Sequence, residues 1–389
     1  MKAIILGAGI AGCTAAYLLK REGWDVTVIE KEPHVGGATR TFFHAGHPYQ
    51  LGPKVYYGYS EKVFKWVDSF TPIRRFPFEL RTLAHEQIDE DRRFWTYPPH
   101  ELDIPHYPQY EKIRRELEEL DNSKPPQDFE EYWLQKVGPT IYDMFVDRYS
   151  KKMWMIDDNR IFDIFKWSAK DRPIESGSRE AYKGSYIGYP IAPDGYNQYY
   201  ERALEGCHVQ VGMAWTADTI GYFQADVTIS TIPIDEFCQW RIGQLPYSGR
   251  DFHLLVLPCK QVFPGDVRFC HYASDRDEWT RVTEFKKLTY HESESTLLVL
   301  EKPSKANQLY PYLTKANMAK VAEYLASLPE NVHSIGRLGT YKYSTIEQTV
   351  VQAFACVSKI TGKPTPEGIE CEWKEIGDLK LIGKDRKAA

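Results

Sequence analysis

The first 37 residues, MKAIILGAGIAGCTAAYLLKREGWDVTVIEKEPHVGG, decide the fold of this chain. The apolar run at 3–6 is typical of a buried parallel strand, and the glycine-rich GAGIAG at 7–12 follows it directly. A helix is predicted next, ending at Gly23, and VTVIE at 26–30 predicts a second strand. Strand, glycine-rich turn, helix and strand in this order indicate the first βαβ unit of a dinucleotide-binding domain.

Each glycine of G-x-G-x-x-G has a physical reason to be there. Gly7 permits the tight turn, Gly9 lets the backbone approach a pyrophosphate, and Gly12 lets the helix pack closely on the strand. The start of the helix offers unpaired N–H groups and a positive dipole end to the phosphates. Glu30 lies 18 residues after Gly12, close to the spacing of an acid that binds ribose hydroxyls.

A second glycine signal favours FAD over NAD. Gly36, Gly37 and Arg40 in KEPHVGGATRT (31–41) resemble the signal found in FAD enzymes of the glutathione-reductase and amine-oxidase type. ADVTISTIPIDEF (225–237) resembles the returning strand of those families, which ends near the cofactor. The sequence contains no second GxGxxG for a separate nicotinamide domain, so we expect FAD.

The composition of the chain narrows the possible classes of protein further. The chain has 389 residues and a formal net charge of −5, which gives no overall case for nucleic-acid binding. Its seven cysteines form no C-x-x-C pair, which favours buried free thiols over disulfides and predicts no metal site. No apolar run is long enough for a membrane span, and the N-terminus is unlike a signal peptide, so we expect a cytoplasmic protein.

The remaining pattern predicts an α/β protein whose Rossmann-like FAD-binding domain is discontinuous and carries a helical insert and an antiparallel-sheet insert. Phe129, Trp133 and Val137 repeat at helical spacing, and Pro139 suits the first turn of a helix. The predicted domains are an FAD-binding domain at 1–80, 190–240 and 320–385, a helical substrate domain at 105–175, and a sheet domain at 240–320 with about 80–100.

Local signals place further elements. Four apolar runs between 250 and 300 predict strands, and residues 316–328 predict a helix. Ser344 and Glu347 match a capping box, with Ser344 as N-cap of the last long helix. The partial positive charge at the N-terminus of this helix is expected to favour anionic reduced flavin. Glycine, serine, proline and tyrosine dominate residues 172–195, which predicts an irregular loop that closes over the site.

Several stretches together resemble the flavin-dependent UDP-galactopyranose mutases. Besides the N-terminal unit, these stretches follow the family order over almost the whole chain. YSKKMW (149–154) resembles Y-T-x-K-x-W, and PIAPDGY (190–196), ahead of EGCHVQVG (205–212), resembles the family's P-x-x-x-G-Y segment. WTRVTEFK (279–286) resembles Y-T-R-x-x-E-x-K, and GRLGTYKYSTIEQ (336–348) resembles G-R-L-x-x-Y-K-Y-x-x-M-x-Q.

The resemblance implies an isomerase that uses FAD without net redox change. In that family reduced flavin N5 attacks the anomeric carbon of a nucleotide-diphosphate sugar such as UDP-galactose, and the flavin–sugar adduct recloses as the furanose. It also implies a reduced cofactor maintained by NAD(P)H or another external reductant, and it leaves a homodimer open.

The resemblance also assigns site residues. Arginine offers planar, bidentate contacts to a diphosphate, and the family's phosphate-contacting arginine matches Arg281. The second, mobile arginine matches Arg172, with Arg179 as a competitor. The remaining matches are Tyr310 and Tyr343 at the diphosphate, Tyr149 and Trp154 on the nucleobase side, and Arg337 near the flavin.

The match breaks beside the flavin. The family has G-A-H-x-F-H-T where this chain has GPKVYYG (52–58), so Lys54 and Tyr57 replace two histidines, and Thr345 stands where the family has Asp. We hypothesise that Lys54 faces a sugar with a different substituent or configuration; an unchanged substrate ranking in Lys54→Ala would disprove this. A different nucleotide, an amine-oxidase-type oxidoreductase and a non-catalytic FAD-binding homologue stay open at this point.

Overall fold

The computed structural model describes residues 1–85, 94–162, 174–216 and 224–369. The helices of these residues are α1 Ile10–Arg21, α2 Glu61–Phe70, α3 Tyr110–Glu118, α4 Phe129–Tyr142, α5 Arg148–Trp154, α6 Asn197–Ala203, α7 Ile234–Phe237, α8 Lys286–Thr289, α9 Lys315–Ala326, α10 Gly336–Gly339 and α11 Ile346–Thr361. The strands are β1 Lys2–Leu6, β2 Asp25–Glu30, β3 Phe42–His44, β4 His47–Tyr49, β5 Tyr56–Gly58, β6 Ile73–Arg75, β7 Arg81–Leu83, β8 Phe94–Thr96, β9 Tyr186–Pro190, β10 His208–Val211, β11 Val227–Ser230, β12 Tyr247–Leu257, β13 Phe269–Tyr272, β14 Arg281–Glu284, β15 Thr296–Ser304, β16 Tyr310–Pro311 and β17 Val332–Ser334.

A parallel sheet in the order β10-β2-β1-β11-β17 forms the first layer. Its central strand β1 is apolar and buried beyond Lys2, as a parallel strand covered on both faces requires. Helices α1 and α11 pack against each other and share one apolar core with this sheet. The predicted α/β class with a Rossmann-like unit is confirmed, and the sheet draws its strands from well-separated parts of the chain.

A second sheet has the order β16-β12-β15-β14-β13-β7-β8. Its pairs are antiparallel except for β13 with β7. The four strands predicted between 250 and 300 correspond to β12, β13, β14 and β15 and are confirmed, as is the helix predicted at 316–328, which is α9.

Helices α3, α4 and α5 pack beside this second sheet in a shared apolar core. Phe129, Trp133 and Val137 are all buried, as their spacing predicts. Gly138 leaves the helical conformation with φ 74°, and Pro139 starts the helix again, so the proline lies in a first turn as expected. A π-helical turn, Asp143–Asp147, then leads into α5.

Two expectations about local structure are wrong. The N-cap of α11 is Thr345: its hydroxyl accepts from the N–H of Gln348, whose side chain accepts from the N–H of Thr345. The region 172–195 is not irregular throughout, because β9 pairs with β5 and β6 inside it. The proposed domain boundaries stay a prediction, and no helix of the described residues is long and apolar enough to cross a membrane.

Candidate active site

A cavity of about 2260 Å³ runs between the two main apolar cores. Its wall includes the glycine-rich turn after β1 at one end and Arg281 on β14 at the other. Typical small-molecule pockets measure about 300–1,000 Å³, so this cavity has room for a dinucleotide and a second large ligand together.

The glycine-rich turn has the shape that a dinucleotide needs. A Cβ on Gly12 would lie 2.0 Å from the carbonyl oxygen of Gly7, so only glycine allows this approach of α1 to the turn. A Cβ on Gly9 would meet nothing within 4 Å, and Gly9 faces the cavity at the start of α1, where backbone N–H groups can reach a phosphate. Gly36 and Gly37, with φ of 112° and 52°, line the same end.

Glu30 lies at the end of β2, on the cavity wall. Its carboxylate accepts from the backbone N–H of Ala8 at 2.8 Å and from that of Glu32 at 3.0 Å. Because each carboxylate oxygen can accept more than one hydrogen bond, Glu30 retains capacity for ribose hydroxyls. Arg40 does not line the cavity: its guanidinium donates to the carbonyl of Val35 at 3.0 Å and thereby holds the loop that carries Gly36 and Gly37.

Arg281 is clamped by a carboxylate that the sequence did not indicate. Its Nε and Nη2 lie 2.6 Å and 2.7 Å from the two carboxylate oxygens of Glu301, whose side chain is 1% exposed. The two residues are direct partners across β14 and β15. Burial opposes the charge of Arg281, but Glu301 outweighs burial and the pKa of Arg281 is raised. Glu301 therefore keeps Arg281 ionised and in a fixed orientation at the cavity wall, and its carboxylate balances part of that charge.

Arg337 and two tyrosines form the adjoining wall. The guanidinium of Arg337 donates to the carbonyl of Ser344 at 2.7 Å and lies 4.6 Å from the ring centre of Tyr343. Tyr343 and Tyr310 stack with centroids 6.0 Å apart and an interplanar angle of 13°. All three line the cavity, so the structure brings these predicted residues together with Arg281.

Lys54 lines the same wall, and its charge is linked to that of Tyr310. Burial lowers the pKa of Lys54 to about 8, despite an opposite effect of Tyr310. Burial opposes ionisation of Tyr310, but the charges of Lys54 and the nearby arginines outweigh it and lower the pKa of Tyr310 to about 8. Lys54 and Tyr310 therefore titrate as an interacting pair.

Arg250 is a cavity residue that sequence reasoning missed. It is buried on β12, donates to the hydroxyl of Ser248 at 2.8 Å, and has its guanidinium 4.8 Å from the ring centre of Tyr310. The available signal was an arginine two residues before the first predicted strand of the sheet region, which begins at Phe252. Arg250 adds a further cation beside Tyr310.

The two aromatic residues predicted on the nucleobase side lie in different places. Tyr149 on α5 lines the cavity, with its ring centre 5.5 Å from that of His271. Trp154 lies in the core, 2% exposed and in ring contact with Phe162 and Tyr312, and it is not part of the cavity wall.

The two competing arginines of the loop differ as well. Arg179 is not on the cavity wall; its guanidinium donates to Asp103 and to Thr96, at 2.5 Å in both cases. Arg172 lies outside the described residues.

The N-terminus of α11 faces the cavity through Thr345 and Glu347. The carboxylate of Glu347 accepts from the N–H groups of Tyr59 and Ser60 at 3.0 Å and 2.9 Å, so it ties α11 to the segment that follows Lys54 and Tyr57. Burial raises the pKa of Glu347, although these hydrogen bonds oppose the rise. Glu347 thus binds a neighbouring segment instead of completing the predicted capping box.

Tyr57 packs against a second tyrosine on the wall. Its ring centre lies 4.5 Å from that of Tyr182, and its hydroxyl donates to that of Tyr59 at 3.0 Å. Tyr182 belongs to the region predicted as a closing loop, and its φ is 60°. An aromatic surface therefore stands where the resembling family has a histidine.

Comparison with known proteins gives a consistent result. The family model described as UDP-galactopyranose mutase matches residues 144–343, and that of an NAD(P)-binding Rossmann-like domain matches 5–70. A Klebsiella pneumoniae protein named as a probable UDP-galactopyranose mutase is 24% identical over 380 residues, covering 90% of this chain and 92% of that protein. The dTDP-fucopyranose mutase of Escherichia coli is 26% identical over 383 residues, covering 91% and 97%.

A solved structure of reduced UDP-galactopyranose mutase has a TM-score of 0.75 to this chain at 17% identity, covering 93% of this chain and 94% of that one. At that identity the likeness supports the fold. It extends over both sheets and the helical segment.

Proposed function

The chain belongs to the UDP-galactopyranose mutase family, whose named members are isomerases, and from that membership we propose that it interconverts the pyranose and furanose forms of a nucleotide-diphosphate sugar. The observation that carries the proposal is the single cavity that joins a dinucleotide turn to a wall of arginines and tyrosines. An enzyme of this kind needs both ends open to each other, because the sugar must reach the cofactor.

FAD is the proposed cofactor. Gly9 and Gly37 leave space for its pyrophosphate, while Gly36 has no room for a Cβ because Arg40 and Tyr200 lie 2.9 Å from that position. Glu30 offers acceptors to its ribose, and Arg337 lines the same cavity. When bound and reduced by NAD(P)H or another external reductant, FAD supplies a nucleophile at N5 that can displace the nucleoside diphosphate from the anomeric carbon.

The cationic wall is proposed to hold the leaving group. Arg281, Arg250 and Lys54 line the cavity beside Tyr310. Glu301 lines it too, with both carboxylate oxygens bound to Arg281. Fixed positive charge stabilises a diphosphate as its bond to the sugar breaks and keeps it in place for the return step. Glu301 holds the guanidinium of Arg281 in one orientation, so the charge needs little reorganisation during the reaction.

The sugar is proposed to differ from that of the histidine-containing members. Lys54 and Tyr57 stand where the family has histidines, and Tyr57 meets Tyr182 in an aromatic surface. A relative that is 26% identical acts on dTDP-fucopyranose, so thymidine nucleotides and 6-deoxy sugars belong among the candidates beside UDP-galactose.

The test is incubation of the dithionite-reduced protein with UDP-, dTDP-, GDP- and CDP-sugars, followed by anion-exchange chromatography and NMR. We expect one sugar to convert to its furanose, with no conversion by the oxidised protein and no stoichiometric use of NAD(P)H. A flavin that binds and reduces, yet converts no sugar and releases peroxide with an amine substrate, would contradict the proposal. The Lys54→Ala variant in the same panel is expected to change the substrate ranking.

A further inference from the structure

A lysine that the site does not use lies among four backbone carbonyls. The ammonium Nζ of Lys152 is 2.8 Å from the carbonyl oxygen of Tyr272, 2.5 Å from that of Ser274, and 2.8 Å from those of Asp277 and Trp279. These four carbonyls belong to the turn that connects β13 to β14. We call this turn, residues 272–279, the carbonyl turn.

Both partners of this contact lead directly to the cavity. Lys152 lies on α5 one helical turn after Tyr149, which lines the cavity. The carbonyl turn ends two residues before Arg281, and the next residue, Thr280, donates its N–H to the carbonyl of Glu301 at 2.8 Å. A shift of the turn would therefore move Arg281 together with its carboxylate partner.

We propose that Lys152 is a positioning residue: its ammonium gathers the carbonyl turn and sets the distance between Tyr149 and Arg281 at which a nucleoside diphosphate is bound. This inference rests on the proposed nucleotide-sugar substrate and deepens it. Neither the fold nor the predicted site residues assign a role to this lysine, which is the fourth residue of YSKKMW.

The chemistry of the contact explains why a charged group is needed. Four carbonyl oxygens that converge on one point repel one another unless a cation lies between them, as in the carbonyl sites that bind potassium. An ammonium has three N–H donors and a full charge, so it can serve such a cluster, whereas an apolar side chain cannot. Without the charge the turn is expected to open.

A second contact between the same elements is available for comparison. Arg148, at the start of α5, lies 2.6 Å from a carboxylate oxygen of Asp275 in the same turn, with side chains 35% and 51% exposed. An exposed pair of this kind contributes little free energy. The positioning therefore depends on Lys152 far more than on Arg148.

The experiment compares Lys152→Met with Lys151→Met in the FAD-loaded, reduced protein. Lys151 is its neighbour on α5 and pairs with Asp147 one turn earlier, away from the cavity wall. The probe is the one of UDP, dTDP, GDP and CDP that the wild type binds. We expect Lys152→Met to raise the Kd of this nucleotide and the KM of the nucleotide sugar by about tenfold or more, with the FAD content and absorption spectrum unchanged. Lys151→Met is expected to match the wild type.

A second measurement isolates the charge. Lys152→Ala is titrated with the nucleoside diphosphate in equal concentrations of ethylammonium chloride and tetramethylammonium chloride. We expect ethylammonium, which can donate three hydrogen bonds, to recover at least threefold in affinity. If the methionine variant does not fold, Lys152→Gln replaces it with the same expected direction.

The outcomes separate this inference from the proposed function. A wild-type protein that binds none of UDP, dTDP, GDP and CDP overturns both. Three outcomes in a wild type that binds the nucleotide overturn the role of Lys152 and leave the mutase proposal intact. They are an unchanged Kd and KM in Lys152→Met, an equal loss of affinity in Lys151→Met, and an equal affinity of Lys152→Ala in the two salts.

Discussion

The two ends of the cavity are built in opposite ways. At the glycine-rich end, the site is backbone: residues within one 37-residue stretch leave side chains out so that a ligand can approach. At the arginine end, the site consists of charged and aromatic side chains from four strands, with Arg281 held by Glu301 and Arg250 beside Tyr310. An added side chain at Gly12 is expected to damage the first end, and the loss of a charged side chain is expected to damage the second.

The largest effect is expected at the glycine-rich end. Gly12→Val places atoms in the space of the Gly7 carbonyl, 2.0 Å from the new Cβ, and should lower the free energy of unfolding by about 4 kcal/mol or more with loss of bound flavin. Thermal unfolding and flavin absorbance measure this. Gly9→Ala is the matched control, since its Cβ meets nothing within 4 Å: the Tm should stay, and only cofactor affinity should fall.

The next effect is expected at the arginine end. Arg281→Met leaves the buried Glu301 carboxylate without its partner and should lower the free energy of unfolding by about 3 kcal/mol, together with mutase activity. Urea unfolding of the variant measures the loss of stability, and the nucleotide-sugar conversion assay measures the loss of activity.

Two controls sharpen the result for Arg281. Lys302 follows Glu301 on β15 and forms an exposed ion pair with Glu278. Lys302→Met removes this pair and should lower the free energy of unfolding by less than about 1 kcal/mol. Arg281→Met combined with Glu301→Leu should recover most of the stability while remaining inactive. Recovery of activity in the double variant would show that the charge at this end is structural.

A pH dependence is expected from the linked pair. As pH rises through about 8, the pair of Lys54 and Tyr310 loses net positive charge, so affinity for a nucleoside diphosphate should fall. In Lys54→Met the pKa of Tyr310 should rise, because the charge of Lys54 is the largest effect lowering it, and the affinity should become flat between pH 7 and 9.

Tyrosinate absorbance at 295 nm identifies the group. The wild type should show a step near pH 8 that is absent from Tyr310→Phe and from Lys54→Met. Burial raises the pKa of the neighbouring Tyr149, Tyr182 and Tyr343, so these should not contribute. A step that persists in Lys54→Met would disprove the link between Lys54 and Tyr310.

The smallest effect is expected from Arg179. Its guanidinium serves Asp103 and Thr96 away from the cavity, so Arg179→Ala should lower the free energy of unfolding by about 1 kcal/mol and leave KM unchanged. Arg172→Ala, at the other candidate for the mobile arginine, should raise KM. The reverse result in the kinetic assay would assign the role to Arg179.

The glycine-rich end could be predicted from the sequence, whereas much of the arginine end could not. Gly7, Gly9, Gly12 and Glu30 act within one local unit, and their spacing predicts where they lie. Glu301 was not predicted as a site residue, because its pairing with Arg281 depends on the register of β14 against β15, which no local pattern reveals. The cluster around Lys152 is made of backbone carbonyls, which carry no residue signature at all.

The error at the last helix has a similar cause. Both Ser344–Glu347 and Thr345–Gln348 fit the spacing of a capping box, so the pattern allows two registers. The choice is made by a distant segment: the N–H groups of Tyr59 and Ser60 take the carboxylate of Glu347, and Thr345 and Gln348 form the cap. Trp154 lies in the core and off the cavity wall, so its role at the nucleobase stays a prediction; a buried aromatic and one that stacks on a ligand look the same in sequence.

The parallel sheet has a consequence for how the protein is made. Its central strand β1 emerges first, but its partner β11 begins only at Val227, and β10, which covers the far edge of β2, begins at His208. At about 5–20 residues per second, a ribosome needs roughly 10 to 45 s to reach β11. During that interval the β1–β2 pair has two open edges, which are templates for pairing with other chains. The nascent polypeptide therefore exposes these two unpaired strand edges until β10 and β11 have been translated.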